Sequence, residues 1–218
     1  KARGGAGFLM CFGSASVHAT SPARDWNGVE LFEDRVIPHL ELFSETMHKY
    51  DVPCVAQITH RGRRGRSLDT WQRMFSPSSI REPNHRETPH PMDETDMQLF
   101  VQAFADTAGR LQRGGFDGCE VMASHGHLID QFWTLNANQR DDKYGAQSVE
   151  SRMKFGVRVM EAVREKVGSD FIVGIRITGD DLTERGLDNA QMQEICGRLN
   201  DLKLLDYFNV IGATAETF

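Results

Sequence analysis

Two polar side chains lie inside segments that otherwise consist largely of apolar residues. Gln57 lies in the run 54–59, and Arg176 lies in the run 171–178. A carboxamide presents a donor and an acceptor side by side, which suits the imide edge of a planar heterocycle. A buried cation is costly unless it meets an anion or a strong acceptor. The pair predicts a site for such a ligand, while backbone contacts for Gln57 and a structural ion pair for Arg176 stay open as alternatives.

Two histidines, His125 and His127, follow the third apolar run of the sequence. Imidazoles at the end of a strand can act as general acids or bases, or can bind a substrate. They can also form part of a metal site, although the later strand ends offer Arg176 and Asn209, and a cation there would repel a metal ion. A metal-dependent barrel hydrolase that uses His125 and His127 is therefore one alternative function. The other alternative is that both are loop histidines held by hydrogen bonds, without a role in chemistry.

Apolar runs of strand length alternate with amphipathic segments of helical period along the whole chain. Helices are expected from near Pro38 and after three residues that can cap a helix: Asp93, Ser148 and Asp188. Long polar loops follow the second and third strands, and loops of that length inside a compact domain are usually functional. Strands are predicted at residues 7–12, 54–59, 118–122, 171–178 and 207–211.

Strands that are apolar on both faces and alternate with helices indicate a parallel sheet covered by helices. No Gly-x-Gly-x-x-Gly follows any strand, which disfavours an open dinucleotide-binding sheet. Polar loops at the carboxyl ends of strands favour an α/β fold of the (β/α)₈ TIM barrel type, because barrel sites are built there. About five strands of such a barrel are visible, and Arg176 would face its interior beside the small Gly174.

The composition excludes several classes of protein. The 218 residues carry a net charge of −6, with 26% charged and 39% apolar residues, as in an ordinary globular protein. The mild acidity argues against nucleic acid or an anionic membrane as partner, and no apolar run is long enough for a transmembrane helix. Four cysteines without C-x-x-C spacing and no signal peptide favour a cytoplasmic protein with reduced thiols.

Taken together, these motifs resemble the old yellow enzyme superfamily, which comprises FMN-dependent (β/α)₈ barrels. The resemblance is to the branch of this superfamily that contains NADH:flavin oxidoreductases, trimethylamine dehydrogenase and dienoyl-CoA reductase. It implies that Gln57 binds the flavin pyrimidine edge, that Arg176 stabilises the reduced flavin near N1, and that the backbone at Gly13, where the first strand ends, approaches the flavin. The matching stretches are residues 5–8, 57–63, 115–121, 125–132, 138–145 and 173–177.

The resemblance also implies catalytic roles for the two histidines. His125 matches a position that contacts the substrate, and His127 matches one where a proton-donating Tyr is common. An imidazole is a different acid from a phenol with a pKa of about 10, so the pattern suits hydride transfer from a small N-methylated amine to flavin N5. NAD(P)H-dependent reduction of an activated C=C is the alternative. Met122 replaces a family His or Tyr, and Ala213 stands where trimethylamine dehydrogenase has an Asp.

Residues 1–218 are expected to be a partial FMN-binding (β/α)₈ barrel domain that lacks the first and the last two βα units. The family's phosphate-binding loops, after strands seven and eight, would then lie outside the chain. Such a fragment is expected to bind FMN poorly and to expose open sheet edges. The resemblance leaves a 4Fe-4S cluster, NAD(P)H and a homo-oligomer open for the full-length protein, and the expected partner is a small-molecule substrate.

Overall fold

The computed structural model describes residues 1–22 and 28–212. The strands in this part of the chain are β1 (Leu9–Ser16), β2 (Cys54–Thr59), β3 (Phe75–Ser76), β4 (His90–Pro91), β5 (Gly118–Ala123), β6 (Ile172–Thr178) and β7 (Tyr207–Ile211). Five of them form one parallel sheet in the order β1-β2-β5-β6-β7, and β3 pairs with β4 in a short separate ribbon. This sequential parallel order is that of consecutive βα units of a (β/α)₈ barrel, and it confirms the predicted fold class.

The helices begin where the sequence places capping residues. Asp93 and Asp188 each form a capping box, and Ser148 accepts a hydrogen bond from the backbone of Ser151. None of the helices among the described residues is both long and apolar enough to cross a lipid bilayer. The helices are α1 (Ile37–His48), α2 (Ser67–Thr70), α3 (Glu94–Arg113), α4 (Leu128–Trp133), α5 (Val149–Val167) and α6 (Asn189–Asp201).

The core lies between the sheet and the helices that cover its outer face. Every residue of β2 and β5 is buried, as expected for strands that are covered on both faces. Helix α6 ends at Asp201, so Leu202 lies beyond it and is 43% exposed. One apolar stripe of α3 is buried throughout; it consists of Met97, Val101, Phe104, Ala108 and Leu111.

The first strand differs from its prediction. It runs to Ser16 rather than ending at Gly13, and its pairing with β2 is interrupted between Cys11 and Ala15. Phe12 and Ser14, on either side of Gly13, have positive φ angles of 54° and 61°. A bulge of this kind re-aims side chains, and it cannot be recognised from the apolar pattern because neither flanking residue is a glycine.

Candidate active site

The strand register places four residues side by side across the inner face of the sheet. Gln57 pairs with Glu120, Glu120 with Gly174, and Gly174 with Tyr207. Residues in register on neighbouring strands face the same side of a sheet. Gln57 therefore lies on the barrel interior.

The Gln57 side chain is buried and held at both ends. Its Oε1 accepts a 3.0 Å hydrogen bond from the Ser14 backbone N–H, and its Nε2 donates a 2.7 Å bond to Glu120 Oε1. A primary amide has two N–H donors, so one donor is left for another partner. The backbone contact expected as the plain alternative is present, and it orients the amide.

Glu120 is one of the site residues that the sequence patterns did not single out. Its carboxylate is fully buried, and it also accepts hydrogen bonds of 3.3 and 3.1 Å from Asn209 Nδ2. The available signal was an acid in the middle of an apolar strand, where a charge needs dedicated partners.

The space left by Gly174 is filled by a tyrosine ring. A Cβ at Gly174 would lie 2.2 Å from Cζ of Tyr207, so only glycine permits this approach. Burial and the nearby Glu120 carboxylate raise the pKa of Tyr207, so its hydroxyl stays protonated. Tyr207 forms part of the floor of the site.

Arg176 occupies the next row of the inner face, in register with Met122 and Asn209. Its side chain is half-buried, and its Nε atom is shielded from solvent without a hydrogen-bond partner among the described residues. No carboxylate in the described ranges lies within ion-pair distance of it, so a structural ion pair does not account for this cation. A buried donor without a partner is costly, which fits a ligand acceptor at this point.

The histidine loop follows β5 and joins the ends of two other strands. Nδ1 of His127 lies 2.7 Å from the Thr59 hydroxyl at the end of β2. The backbone N–H of His125 donates a 3.4 Å bond to the Thr178 hydroxyl at the end of β6. The two ring centroids are 6.3 Å apart. Both imidazoles thus lie at the carboxyl edge of the sheet, as predicted.

The surroundings keep both imidazoles neutral. Burial, followed by the positive charges of Arg176 and Arg64, lowers the pKa of His125. Burial and then the charge of Arg64 hold the pKa of His127 well below its usual value of 6.5. Neutral imidazoles at physiological pH are bases and hydrogen-bond partners rather than cations.

A buried glutamine locks the loop after β2 to the histidine loop. Gln131 Nε2 donates hydrogen bonds of 2.9 and 2.6 Å to the carbonyls of Arg61 and Gly126, and its Oε1 accepts a 3.1 Å bond from the Arg63 backbone. Gly62 has a φ of 58°, and a Cβ there would lie 2.3 Å from Oε1 of Gln131. The positive φ and this contact both require glycine.

The remaining predicted positions fall in three places. Gly13 lies exposed in the β1 bulge, and a Cβ there would meet no atom within 4 Å, so its backbone is open to a ligand. Ala213 lies outside the described residues. Among the described residues, the one cluster of three metal-ligating side chains is at the opposite edge of the sheet, away from the histidine pair; it consists of His48, Cys54 and Asp117.

Comparison with known families and proteins decides between the candidate classes. Residues 1–213 match the family described as NADH:flavin oxidoreductase / NADH oxidase. The chain belongs to this family. The resemblance inferred from the motifs is confirmed, and the metal-dependent hydrolase is no longer a competing class.

Individual proteins with curated descriptions or solved structures are also similar to this chain. The chain is 42% identical over 219 residues to the N,N-dimethylglycine/sarcosine dehydrogenase of Chromohalobacter salexigens. It is 37% identical over 220 residues to the multifunctional alkene reductase/demethylase OYE of Caballeronia cordobensis. Each match covers 100% of this chain and 31% of the relative, so the chain spans about a third of these proteins. The solved histamine dehydrogenase from Rhizobium sp. 4-9 superposes with a TM-score of 0.90 at 27% identity, over 99% of this chain and 32% of that one.

The geometry of the inner face fits the flavin that the family name implies. A flavin ring carries acceptor atoms along its pyrimidine edge, and three kinds of group in this part of the fold are available to an acceptor. They are the remaining Gln57 N–H, the unpartnered Arg176 Nε and the open backbone of Gly13. Donors preorganised toward developing negative charge are what a reducible ring requires.

Proposed function

We propose that this chain forms the catalytic core of an FMN-dependent oxidoreductase that oxidatively demethylates small N-methylated amines. The observation that carries the proposal is a pair of neutral histidines, His127 buried and His125 half-buried, beside an arginine that has no ion-pair partner among the described residues. The identity to a dimethylglycine/sarcosine dehydrogenase supports the same substrate class.

Gln57, Arg176 and the backbone at Gly13 would hold the isoalloxazine ring. Gln57 is oriented by Ser14 and Glu120, so its free N–H needs no reorganisation to bind an acceptor. Bound FMN supplies a hydride acceptor at N5, so that the N-methyl group is oxidised to an iminium, which water converts to formaldehyde and the demethylated amine. Arg176 contributes a fixed positive charge where the reduced ring would be negative.

The histidines prepare the amine for this reaction. A methylated amine is an ammonium ion at neutral pH, and its nitrogen lone pair must be free before a C–H hydride can leave. The lowered pKa values of His125 and His127 keep both imidazoles unprotonated in the resting state, so each can accept a hydrogen bond from the ammonium N–H. The nearby charges of Arg64 and Arg176 favour release of that proton to solvent. The hydroxyl of Thr59 fixes the ring of His127 through Nδ1, so the other ring nitrogen would meet the substrate.

Reduction of an activated C=C by NAD(P)H is the second candidate, because one relative combines alkene reductase and demethylase activity in its name. That reaction needs a proton donor on the substrate side. His127 is buried, and its pKa is held well below 6.5, so at neutral pH it carries no extra proton to donate. This electrostatic setting favours the amine reaction.

The two reactions are separated by steady-state assays of the complete gene product that carries this chain. Formaldehyde release from N,N-dimethylglycine is measured against NAD(P)H consumption with an enone such as 2-cyclohexenone. We expect formaldehyde release to be the faster reaction, and a His127→Ala variant to lose it while the exposed His39→Ala control keeps it. Turnover of the enone alone would establish the second candidate instead.

A further inference from the structure

Arg64 is a second cation at the site. Its guanidinium, like that of Arg176, has a donor that the described residues leave without a hydrogen bond. Arg64 ends the short 3₁₀ turn Gly62–Arg64 that follows β2. Its side chain is half-buried, and its Nη1 atom is shielded from solvent with no hydrogen-bond partner among the described residues. An unsatisfied guanidinium N–H is costly, so this atom calls for an acceptor from outside the chain.

The neighbouring arginines behave differently. Arg61 donates to the carbonyl of Pro22, and Arg63 donates a 3.2 Å bond to the carbonyl of Asn136. Both side chains therefore brace loops of the same fold. The Arg64 side chain, by contrast, makes no hydrogen bond within the described residues, and its Nη1 donor is shielded from solvent.

Arg64 lies directly beside the histidine pair. A Cβ built on Gly126, which separates His125 from His127, would lie 3.2 Å from Cδ of Arg64 and 3.8 Å from its Nη1. The absence of a side chain at Gly126 therefore makes room for the arginine. Its charge is also among the causes that lower the pKa of both histidines.

We propose that Arg64 binds the carboxylate of the substrate, so that the substrates are N-methylated amino acids rather than simple N-methylated amines. The inference rests on the proposed function. A guanidinium matches a carboxylate in shape and charge, and such charge-assisted bonds are among the strongest in proteins. With the carboxylate on Arg64, the methylated nitrogen one carbon away lies next to the imidazoles.

The charge balance of the site supports this choice. Arg64 and Arg176 contribute two positive charges, while the histidines are neutral. A simple alkylammonium ion would be repelled by this field, whereas a zwitterionic amino acid offsets it with its own carboxylate. The site thus discriminates between two substrates that share the same reacting N-methyl group.

The test uses the flavin-loaded complete gene product and two unreactive probes. Glycine betaine carries a carboxylate, and ethyltrimethylammonium is the same ion with a methyl group in place of that carboxylate; neither has the nitrogen lone pair needed for oxidation. Binding is measured by calorimetry and by perturbation of the flavin spectrum. We expect Arg64→Gln to weaken betaine binding at least roughly tenfold, Arg64→Lys to weaken it less, and neither variant to weaken binding of ethyltrimethylammonium.

Arg198→Gln, an exposed arginine on α6 paired with Glu194, is the matched control and should change neither dissociation constant. Unchanged betaine affinity in Arg64→Gln would show that water satisfies Arg64, and would overturn the proposal. Equal weakening of both probes would make Arg64 structural and would overturn it as well. If the wild-type protein held no flavin or released no formaldehyde from any N-methylated compound, the proposed function itself would fail, and this result is distinct from the first two.

Discussion

Gln57 and Glu120 are joined by a 2.7 Å hydrogen bond across the barrel interior, from Nε2 of the amide to Oε1 of the carboxylate. The carboxylate is fully buried and also accepts from Asn209. Glu120 thus orients the amide proposed to bind the flavin, and its carboxylate charge would lie near a ring held by that amide.

Removing this charge should make the bound flavin easier to reduce. Glu120→Gln keeps a side chain of the same shape but removes the carboxylate charge. A nearby negative charge destabilises the electron-rich reduced ring, so its removal favours reduction. We expect a higher reduction potential and tighter binding of sulfite, measured by spectroelectrochemistry and by titration. The exposed Glu161→Gln on α5 is the control. An unchanged potential would mean that Glu120 acts only by orienting Gln57.

Loss of Arg176 should have the opposite electrostatic effect. Arg176→Ala removes a cation of the inner face whose Nε has no partner among the described residues, so we expect flavin affinity to fall by roughly tenfold or more and the reduction potential to drop. Flavin titration and spectroelectrochemistry measure the two effects, with Arg198→Ala as a surface control. If both affinity and potential were unaffected, the flavin edge would not lie at Arg176.

The contact between Thr59 and His127 should control turnover rather than flavin binding. Thr59→Val removes the hydroxyl 2.7 Å from Nδ1 and frees the ring to rotate, so we expect kcat to fall by roughly tenfold at unchanged flavin occupancy. Thr59→Ser, which restores the hydroxyl, should recover most of the rate. Equal losses in flavin content and rate would indicate a structural role for this contact.

The buried histidines should make the fold sensitive to acid. Burial and neighbouring charges hold the pKa values of His60 and His127 well below the value of 6.5. The unfolded chain therefore binds more protons than the folded chain once the pH falls below about 6.5. Stability is fully present above that pH and is lost below it, by up to about 1.4 kcal/mol per pH unit for each group.

Urea unfolding at pH 7.5 and at pH 5.5 measures this loss. We expect a lower free energy of unfolding at pH 5.5, and the same difference in the His39→Gln variant, because His39 is exposed on α1. A free energy that stayed constant or rose between pH 7.5 and pH 5.5 would contradict the burial of neutral imidazoles.

Local patterns in the sequence predicted much of this arrangement. The bounds of β2 and β7 and the three helix caps agree with their predictions, because strand hydrophobicity and capping are local properties. Gln57 and Arg176 face the barrel interior because alternation along a strand decides which face a residue takes. The loop after β5 carries the histidines to the same edge because parallel strands end together.

Features that depend on tertiary contacts were beyond such reasoning. The β1 bulge at Phe12 and Ser14 involves no glycine at the positive φ angles. Tyr207 fills the space beside Gly174 only because β7 lies in register with β6. That Nη1 of Arg64 lacks a partner within residues 1–22 and 28–212 is visible only when every neighbouring donor and acceptor is in place. These are contacts between segments far apart in the chain, and periodicity does not record them.

The most direct test of the account is the visible absorption spectrum of the complete gene product, recorded before and after anaerobic addition of N,N-dimethylglycine. We predict the spectrum of an oxidised flavin, which is bleached on addition of the amino acid with release of formaldehyde. A colourless protein that contains stoichiometric zinc, or a flavin spectrum that the amino acid leaves unchanged, would contradict it.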